Sequence, residues 1–259
     1  LTRHFFKPEY DAYHIRRLEK PIMKLDNAVV LVTGANRGLG LEFARQALAA
    51  GARKVYAGAR DPASVTLPGV VPLRLDVNDA AQVAEAAAAC TDVTLVVNNA
   101  GIATMGSLLQ PDSMAGLDAM FDTNVRGLLR VSQAFAPVLA AHGGGAFLNV
   151  LSVGSWISSP GLGAYAATKS AAWSLTNGLR IALKEQGTQV LGLHVGFIDT
   201  DLTRGLDLPK LAPSVVVEKA FAALEAGQQE VLIDELSQRV KQGLAAEPGV
   251  YLDSVARDD

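Results

Sequence analysis

The chain has 259 residues, 49% of them apolar and 19% charged, a balance that supports a substantial buried core and excludes an intrinsically disordered chain. Its net charge of −3, with no block of like charge, argues against nucleic acid or an anionic membrane as a partner. No apolar run approaches the roughly 20 residues of a membrane-spanning helix, and the single cysteine, Cys90, excludes an internal disulfide and reads as a buried, inert thiol.

Residues 1–22 (LTRHFFKPEYDAYHIRRLEKPI) are rich in charge, contain acids and lack the apolar stretch of a secretory signal. They are read as an extension outside the core, or as an arm packing on a neighbouring subunit. Met23 opens MKLDNAVVLVTG in the manner of a natural start. Residues 23–259 are expected to form one domain, because no repeat, low-complexity tract or linker interrupts them. The compartment expected is the cytoplasm, and no metal site is expected.

In chain order, AVVLVT (28–33) is β-branched without polar alternation, the pattern of a strand buried on both faces. Gly34, Gly38 and Gly40 follow and lead into LEFARQALAAG, helical in spacing and stopped at Gly51. Strand, glycine-rich turn and helix form the unit that cradles a dinucleotide, because the glycines admit a pyrophosphate close to the backbone at a helix N-terminus. KVYAGAR (54–60) is a second strand. Asp61 stands near the distance at which an acid holds a ribose 2′-hydroxyl, but it falls in the Asp-Pro turn. Arg37 and Arg60 instead bring two guanidinium groups suited to a 2′-phosphate. The pair predicts NADP(H) over NAD(H).

VVPLRLDV (70–77) predicts a third strand ending in Asp76, whose carboxylate is placed to accept from an adenine amino group, then a helix capped by Asn78 or Asp79. VTLVVNNAG (93–101) is a fourth strand running into Asn98, Asn99, Ala100 and Gly101. Residues 112–142 read as mostly helical, with Asn124 inside. The glycine turn at 143–145 leads to a fifth strand, AFLNVLS, which ends at Ser152.

Tyr165 and Lys169 lie one helical turn apart in a helix expected over 164–185. Residues so spaced share a helix face, so phenol and ammonium point the same way. The cation is expected to lower the phenol's pKa from near 10, while Ser152 holds a carbonyl or alcohol oxygen beside it. A sixth strand (188–197), a short lid after Thr200, a helix over 215–227 and a last strand (230–234) complete the alternation. That alternation predicts an α/β architecture, a parallel sheet with helices on both faces and ligands at the carboxyl ends of its strands.

TGANRGLG (33–40), Asp76–Val77, NNAG (98–101), Asn124, Ser152, YAATK (165–169) and GFIDT (196–200), in this order, resemble the short-chain dehydrogenase/reductase family over residues 26–236, and its NADP-preferring carbonyl reductases in particular. The resemblance implies a single-domain, doubly wound Rossmann fold with a mostly parallel seven-stranded sheet. It implies that Tyr165 is the acid–base residue, that Lys169 lowers its pKa and binds the nicotinamide ribose, that Ser152 orients the substrate oxygen, and that Asn124 holds a water continuing the proton relay. Cofactor contacts are implied for Gly34, Asn36, Arg37, Gly38, Leu39, Gly40 and Arg60, for Asp76 and Val77, and for Asn98, Ala100 and Gly101 beside the nicotinamide ribose. Gly196, Ile198 and Thr200 follow at the carboxamide and phosphate.

Two positions depart from the family pattern: Val195 stands where proline is common, and His194 where asparagine is frequent, read here as a strand-end packing residue. Ile102, Met105, Val153, Trp156, Leu202 and Leu206 are candidate pocket residues and suggest an apolar carbonyl substrate. The expected activity is the reversible, NADPH-dependent reduction of a ketone or aldehyde. The alternatives are an epimerase or dehydratase using the cofactor transiently, and a non-catalytic NADP-binding sensor. By the same resemblance the protein is expected to be a homodimer or homotetramer assembled through the helices carrying Asn124 and Tyr165, with Ala166, Ala167, Ala171 and Ala172 permitting close packing.

Overall fold

The computed structural model describes residues 22–252, so the extension proposed for 1–22 lies, apart from Ile22, outside the described residues. The β-branched run at 29–33 forms β1 (Val29–Thr33), every residue of which is buried. Its alternating side chains feed two cores. Val30 and Val32 pack with Phe43, Phe221 and Leu224 on one face, and Val29 and Leu31 pack with Phe135, Leu139 and Phe147 on the other. Burying each such large side chain is worth about 1.5–3 kcal/mol.

Around β1 are arranged β2 (Lys54–Ala59), β3 (Val71–Arg74), β4 (Leu95–Asn98), β5 (Gly145–Val150), β6 (Thr188–His194) and β7 (Glu230–Leu232), in the order β3-β2-β1-β4-β5-β6-β7. Every strand pairing is parallel, so the expected mostly parallel seven-stranded sheet is parallel throughout. The order reverses direction at β1 and β4, and a crevice opens there beyond the strand ends.

The first face carries α1 (Gly38–Ala49) and α6 (Pro213–Glu225), pinned by an edge-to-face contact of Phe43 and Phe221 at 5.4 Å. The second carries α2 (Ala80–Ala89) and α4 (Leu128–Ala141), with α3 (Ser113–Phe121) leading into α4 and α5 (Gly163–Ala182) alongside. Asp79 caps α2, accepting from the N–H groups of Ala81 and Gln82, as one of the two expected caps.

Four readings are revised. The third strand ends at Arg74 instead of Asp76, because β3 is an edge strand whose residues are largely exposed. The helical stretch 112–142 is interrupted by a π-helical segment, Asp122–Gly127. A last helix, α7 (Glu235–Gly243), went unread: its residues are mostly polar, but Asp234 caps it and Val240 is buried. Ala166 and Ala172, expected at a subunit interface, are instead buried within the subunit itself.

Candidate active site

A cleft of about 1010 Å³ runs along the carboxyl ends of the strands. At one end lies the start of α1. Arg37 precedes the helix in extended conformation, and among the described residues no side chain caps the helix, so its first N–H groups are open to an anion. Gly38, at φ +54°, takes a conformation that side chains disfavour. At Gly40 an added Cβ falls 2.1 Å from the Gly34 carbonyl oxygen and 2.5 Å from Asn99 Nδ2. The turn and helix therefore close on each other only without that carbon. Gly40→Ala is expected to destabilise the protein by about 1–3 kcal/mol, the usual cost of overpacking, and to weaken nucleotide binding. Urea unfolding and fluorescence titration with NADPH measure the two effects.

Arg37 and Arg60 both line this end of the cleft. Arg37 Nη1 stands 3.4 Å from Asp201 Oδ2, with both side chains largely exposed, a pairing worth little in water. Asp61 accepts from the Ala63 N–H and caps the short turn Pro62–Ser64, so its carboxylate is engaged in the turn. Asp76 lines the cleft beside Val77 and accepts from the Asn78 N–H at 2.9 Å. The open helix end, the glycine cradle and the two guanidinium groups together fit a phosphorylated dinucleotide.

At the other end Ser152, Tyr165 and Lys169 converge on one wall. Ser152 follows β5 in extended conformation and its Oγ accepts from the Gly154 N–H at 3.0 Å. Tyr165 and Lys169 lie on α5, with Lys169 Nζ 5.7 Å from the tyrosine ring centre. Part of Tyr165 faces the cleft, yet its surroundings push the phenol up to about 12, with a hydrogen bond to Ser152 pulling in the opposite sense. Burial pushes the Lys169 ammonium down to about 8, and Nζ donates to the Val150 carbonyl at 2.9 Å. The phenol is thus raised where the sequence led one to expect it lowered: desolvation of the anion outweighs an amine that points at a backbone carbonyl.

The cleft also takes in Gly34, Asn36, Leu39, Ala100, Gly101, Gly196, Ile198 and Thr200 from the expected contacts, together with Ile102, Met105, Val153, Leu202 and Leu206. Three expected residues lie elsewhere. Asn98 is buried and donates to Ser132 Oγ at 3.2 Å and Asn149 Oδ1 at 2.9 Å. Its neighbour Asn99 lines the cleft, donating to the Thr33 and Gly34 carbonyls, because adjacent residues at a strand end face opposite sides.

Asn124 lies behind the cleft wall in the π-helical segment. Its amide accepts from the Ile102 N–H and donates to the Ile102 carbonyl and Thr168 Oγ1, at 2.9, 2.9 and 3.0 Å. It ties the Gly101–Ile102 backbone to α5 and retains one lone pair on Oδ1. Trp156 turns from the cleft and stacks on His194, with ring centres 3.9 Å apart. Ile157, Leu162 and Leu236 line the pocket in its place. Leu236 was missed because α7 was missed; Ile157 and Leu162 sit in the stretch before Tyr165, whose turns have no period to read.

The chain is similar to known proteins. Residues 28–210 match the family model for short chain dehydrogenases. A galactitol 2-dehydrogenase (L-tagatose-forming) of Cereibacter sphaeroides is 35% identical over 195 residues, covering 71% of this chain and 76% of that one. A gluconate 5-dehydrogenase of Gluconobacter oxydans is 31% identical, covering 71% and 77%. The crystal structure of a short chain dehydrogenase from Burkholderia cenocepacia, in complex with NADP, superposes with a TM-score of 0.84 at 38% identity, covering 87% of this chain and 96% of that one. The chain belongs to the short-chain dehydrogenase family. At that level it is an NAD(P)-dependent oxidoreductase acting on CH–OH groups. Among the described residues no helix is long and apolar enough to cross a membrane, and no group of residues is suited to a metal ion.

Proposed function

We propose that the protein is an NADP(H)-dependent oxidoreductase that interconverts a ketone or aldehyde and its alcohol. The observation that carries this reading is the convergence of Ser152, Tyr165 and Lys169 on a cleft whose far end holds an open helix N-terminus flanked by Arg37 and Arg60. When bound, NADPH supplies the hydride. Tyr165 holds a proton at Oη and passes it to the substrate oxygen. Ser152, anchored by the Gly154 N–H, hydrogen-bonds the same oxygen. Lys169, with one donor on the Val150 carbonyl, has two left for the hydroxyls of the nicotinamide ribose. Asn124 holds the Gly101–Ile102 wall, and its remaining lone pair suits a relay water.

The apolar rim of Ile102, Met105, Leu202 and Leu206 supports a substrate with an apolar flank, while the galactitol and gluconate enzymes among its relatives favour a polyol as a second reading. A panel of apolar ketones, aldehydes, ketoses and sugar alcohols, run with NADPH/NADP and NADH/NAD in parallel, tests class and substrate together. Turnover of apolar ketones alone supports the first reading, and of polyols alone the second. The absence of turnover on all of them overturns both.

The two guanidinium groups are assigned to the 2′-phosphate. Arg37→Ala combined with Arg60→Ala is expected to lower the ratio of kcat/KM for NADPH over NADH by about 10–100-fold, the worth of one or two charge-assisted hydrogen bonds. An unchanged ratio removes them from that role. The assembly proposed is a homodimer or homotetramer through the helical stretch carrying Asn124 and through α5, to be read by light scattering.

A further inference from the structure

Beside the cleft, and outside the set assigned above, lies a fully buried histidine at the end of β6. His194 is 0% exposed. Its Nδ1 lies 3.0 Å from the backbone carbonyl oxygen of Ser152. That oxygen only accepts, so Nδ1 carries the proton and donates. The backbone on either side of Ser152 is held by β6 and the residue after it: Leu151 N–H donates to Leu193 O at 2.8 Å and Val153 N–H to Val195 O at 3.0 Å. The His194 side chain completes this seam at the residue whose hydroxyl faces the substrate.

The ring is also stacked on one face and, at Nε2, stands near an acid without making a hydrogen bond. Trp156, from the turn that follows Ser152, lies flat on it at an interplanar angle of 17°. Trp156 also meets Trp173 of α5 edge-on at 6.1 Å, so the stack joins the Ser152 turn to the helix bearing Tyr165 and Lys169. Behind the ring, Nε2 stands 3.5 Å from Glu230 Oε1 of β7, while Lys241 of α7 bonds that carboxylate at 2.9 Å and lies over both tryptophan rings at 4.7 and 5.5 Å. His194 and Lys241 together hold the Glu230 carboxyl down at about 2, so it is charged at any working pH. A packing residue at a strand end needs no hydrogen bond to the Ser152 carbonyl.

We infer that His194 is a positioning residue for Ser152, its Nδ1–H fixing the Ser152 carbonyl and thereby aiming the hydroxyl at the substrate oxygen. The inference rests on the proposed role of Ser152 in carbonyl reduction. His194→Phe keeps the ring stack and removes the donor; His194→Asn restores a donor and gives up the stack. The Phe variant is expected to lose about tenfold in kcat, the value of one hydrogen bond, with KM for NADPH unchanged, and the Asn variant to recover most of that loss.

The decisive measurement is a double-mutant cycle with Ser152→Ala. If His194 acts through Ser152, the doubly substituted enzyme is no slower than Ser152→Ala alone. Independent, multiplying losses overturn the inference, as does a Phe variant as fast as the wild type. A readout without turnover separates this from the functional reading. Long-range ¹H–¹⁵N correlation on the wild-type protein, with the signal assigned by its disappearance in His194→Asn, is expected to find Nδ1 protonated. An unprotonated Nδ1 overturns the inference even in an active enzyme, and it is also the test that remains if the Phe variant does not fold. A wild-type protein inert toward every carbonyl, with Nδ1 protonated, overturns the proposed reaction and the role in it but leaves the hydrogen bond to Ser152 standing.

Discussion

Tyr165→Phe is expected to lower kcat for carbonyl reduction by about 10²–10⁴-fold, the range of a lost general acid, while leaving the dissociation constant for NADPH within about twofold. The ring remains, so the wall of the cleft and its packing survive; only the proton donor goes. Because burial pushes the phenol up to about 12, it is protonated across the neutral range, the form that reduction requires. Oxidation of an alcohol requires the phenolate. The oxidative rate is therefore expected to climb with pH over the range in which the reductive rate is flat or falling. Stopped-flow reduction and oxidation across pH 6–10 (on the order of one unit per point), with fluorescence titration of NADPH, test these outcomes. Reduction by the Phe variant within tenfold of wild type removes Tyr165 from its role.

Lys169→Met is expected to abolish most turnover and at the same time to stabilise the empty protein. The ammonium is held at about 8, against 10.5 in an unfolded chain, and the cause is burial. Below pH 8 the folded state carries a charge it disfavours, at a cost of about 3 kcal/mol. Between pH 8 and 10.5 the unfolded chain holds a proton that the folded one has released, so wild-type stability rises with pH across that window. The lost hydrogen bond to the Val150 carbonyl offsets about 1 kcal/mol of the gain. The Met variant is thus expected to be more stable by about 2 kcal/mol at pH 7, with the advantage vanishing toward pH 10.5. Urea melts at several pH values read this directly. A variant less stable than wild type at pH 7, or a gain independent of pH, contradicts the assignment. Stability surrendered at a residue that turnover needs is what a site kept for chemistry predicts.

Several features could be read from local sequence because their causes are local. The run at 28–33 has no polar alternation, and β1 is buried throughout. Gly34 in the turn and Gly38 and Gly40 in the first turn of α1 marked a tight strand-to-helix passage, and Tyr165 and Lys169 share a face by helical spacing alone. The arginine before the helix and the one after β2 both line the cleft, as their places at element ends required. Composition likewise favoured a chain with a large core.

Other features depended on what the rest of the chain brings alongside. Which of Asn98 and Asn99 faces the cleft was settled by the register of β4 against β1 and β5. Asn124 found its partners in the backbone of Ile102 and in Thr168, distant in sequence. Trp156 left the pocket for a ring supplied by β6, and α7 formed because Asp234 caps it and the region around Val153 and Ile157 receives its apolar side. The direction in which the tyrosine's acidity moves also reversed, since desolvation depends on every neighbour and spacing records only one. Sequence determined the elements and the chemistry available at their ends; tertiary packing decided which of those groups meet, which are shielded from water, and which are spent holding others in place.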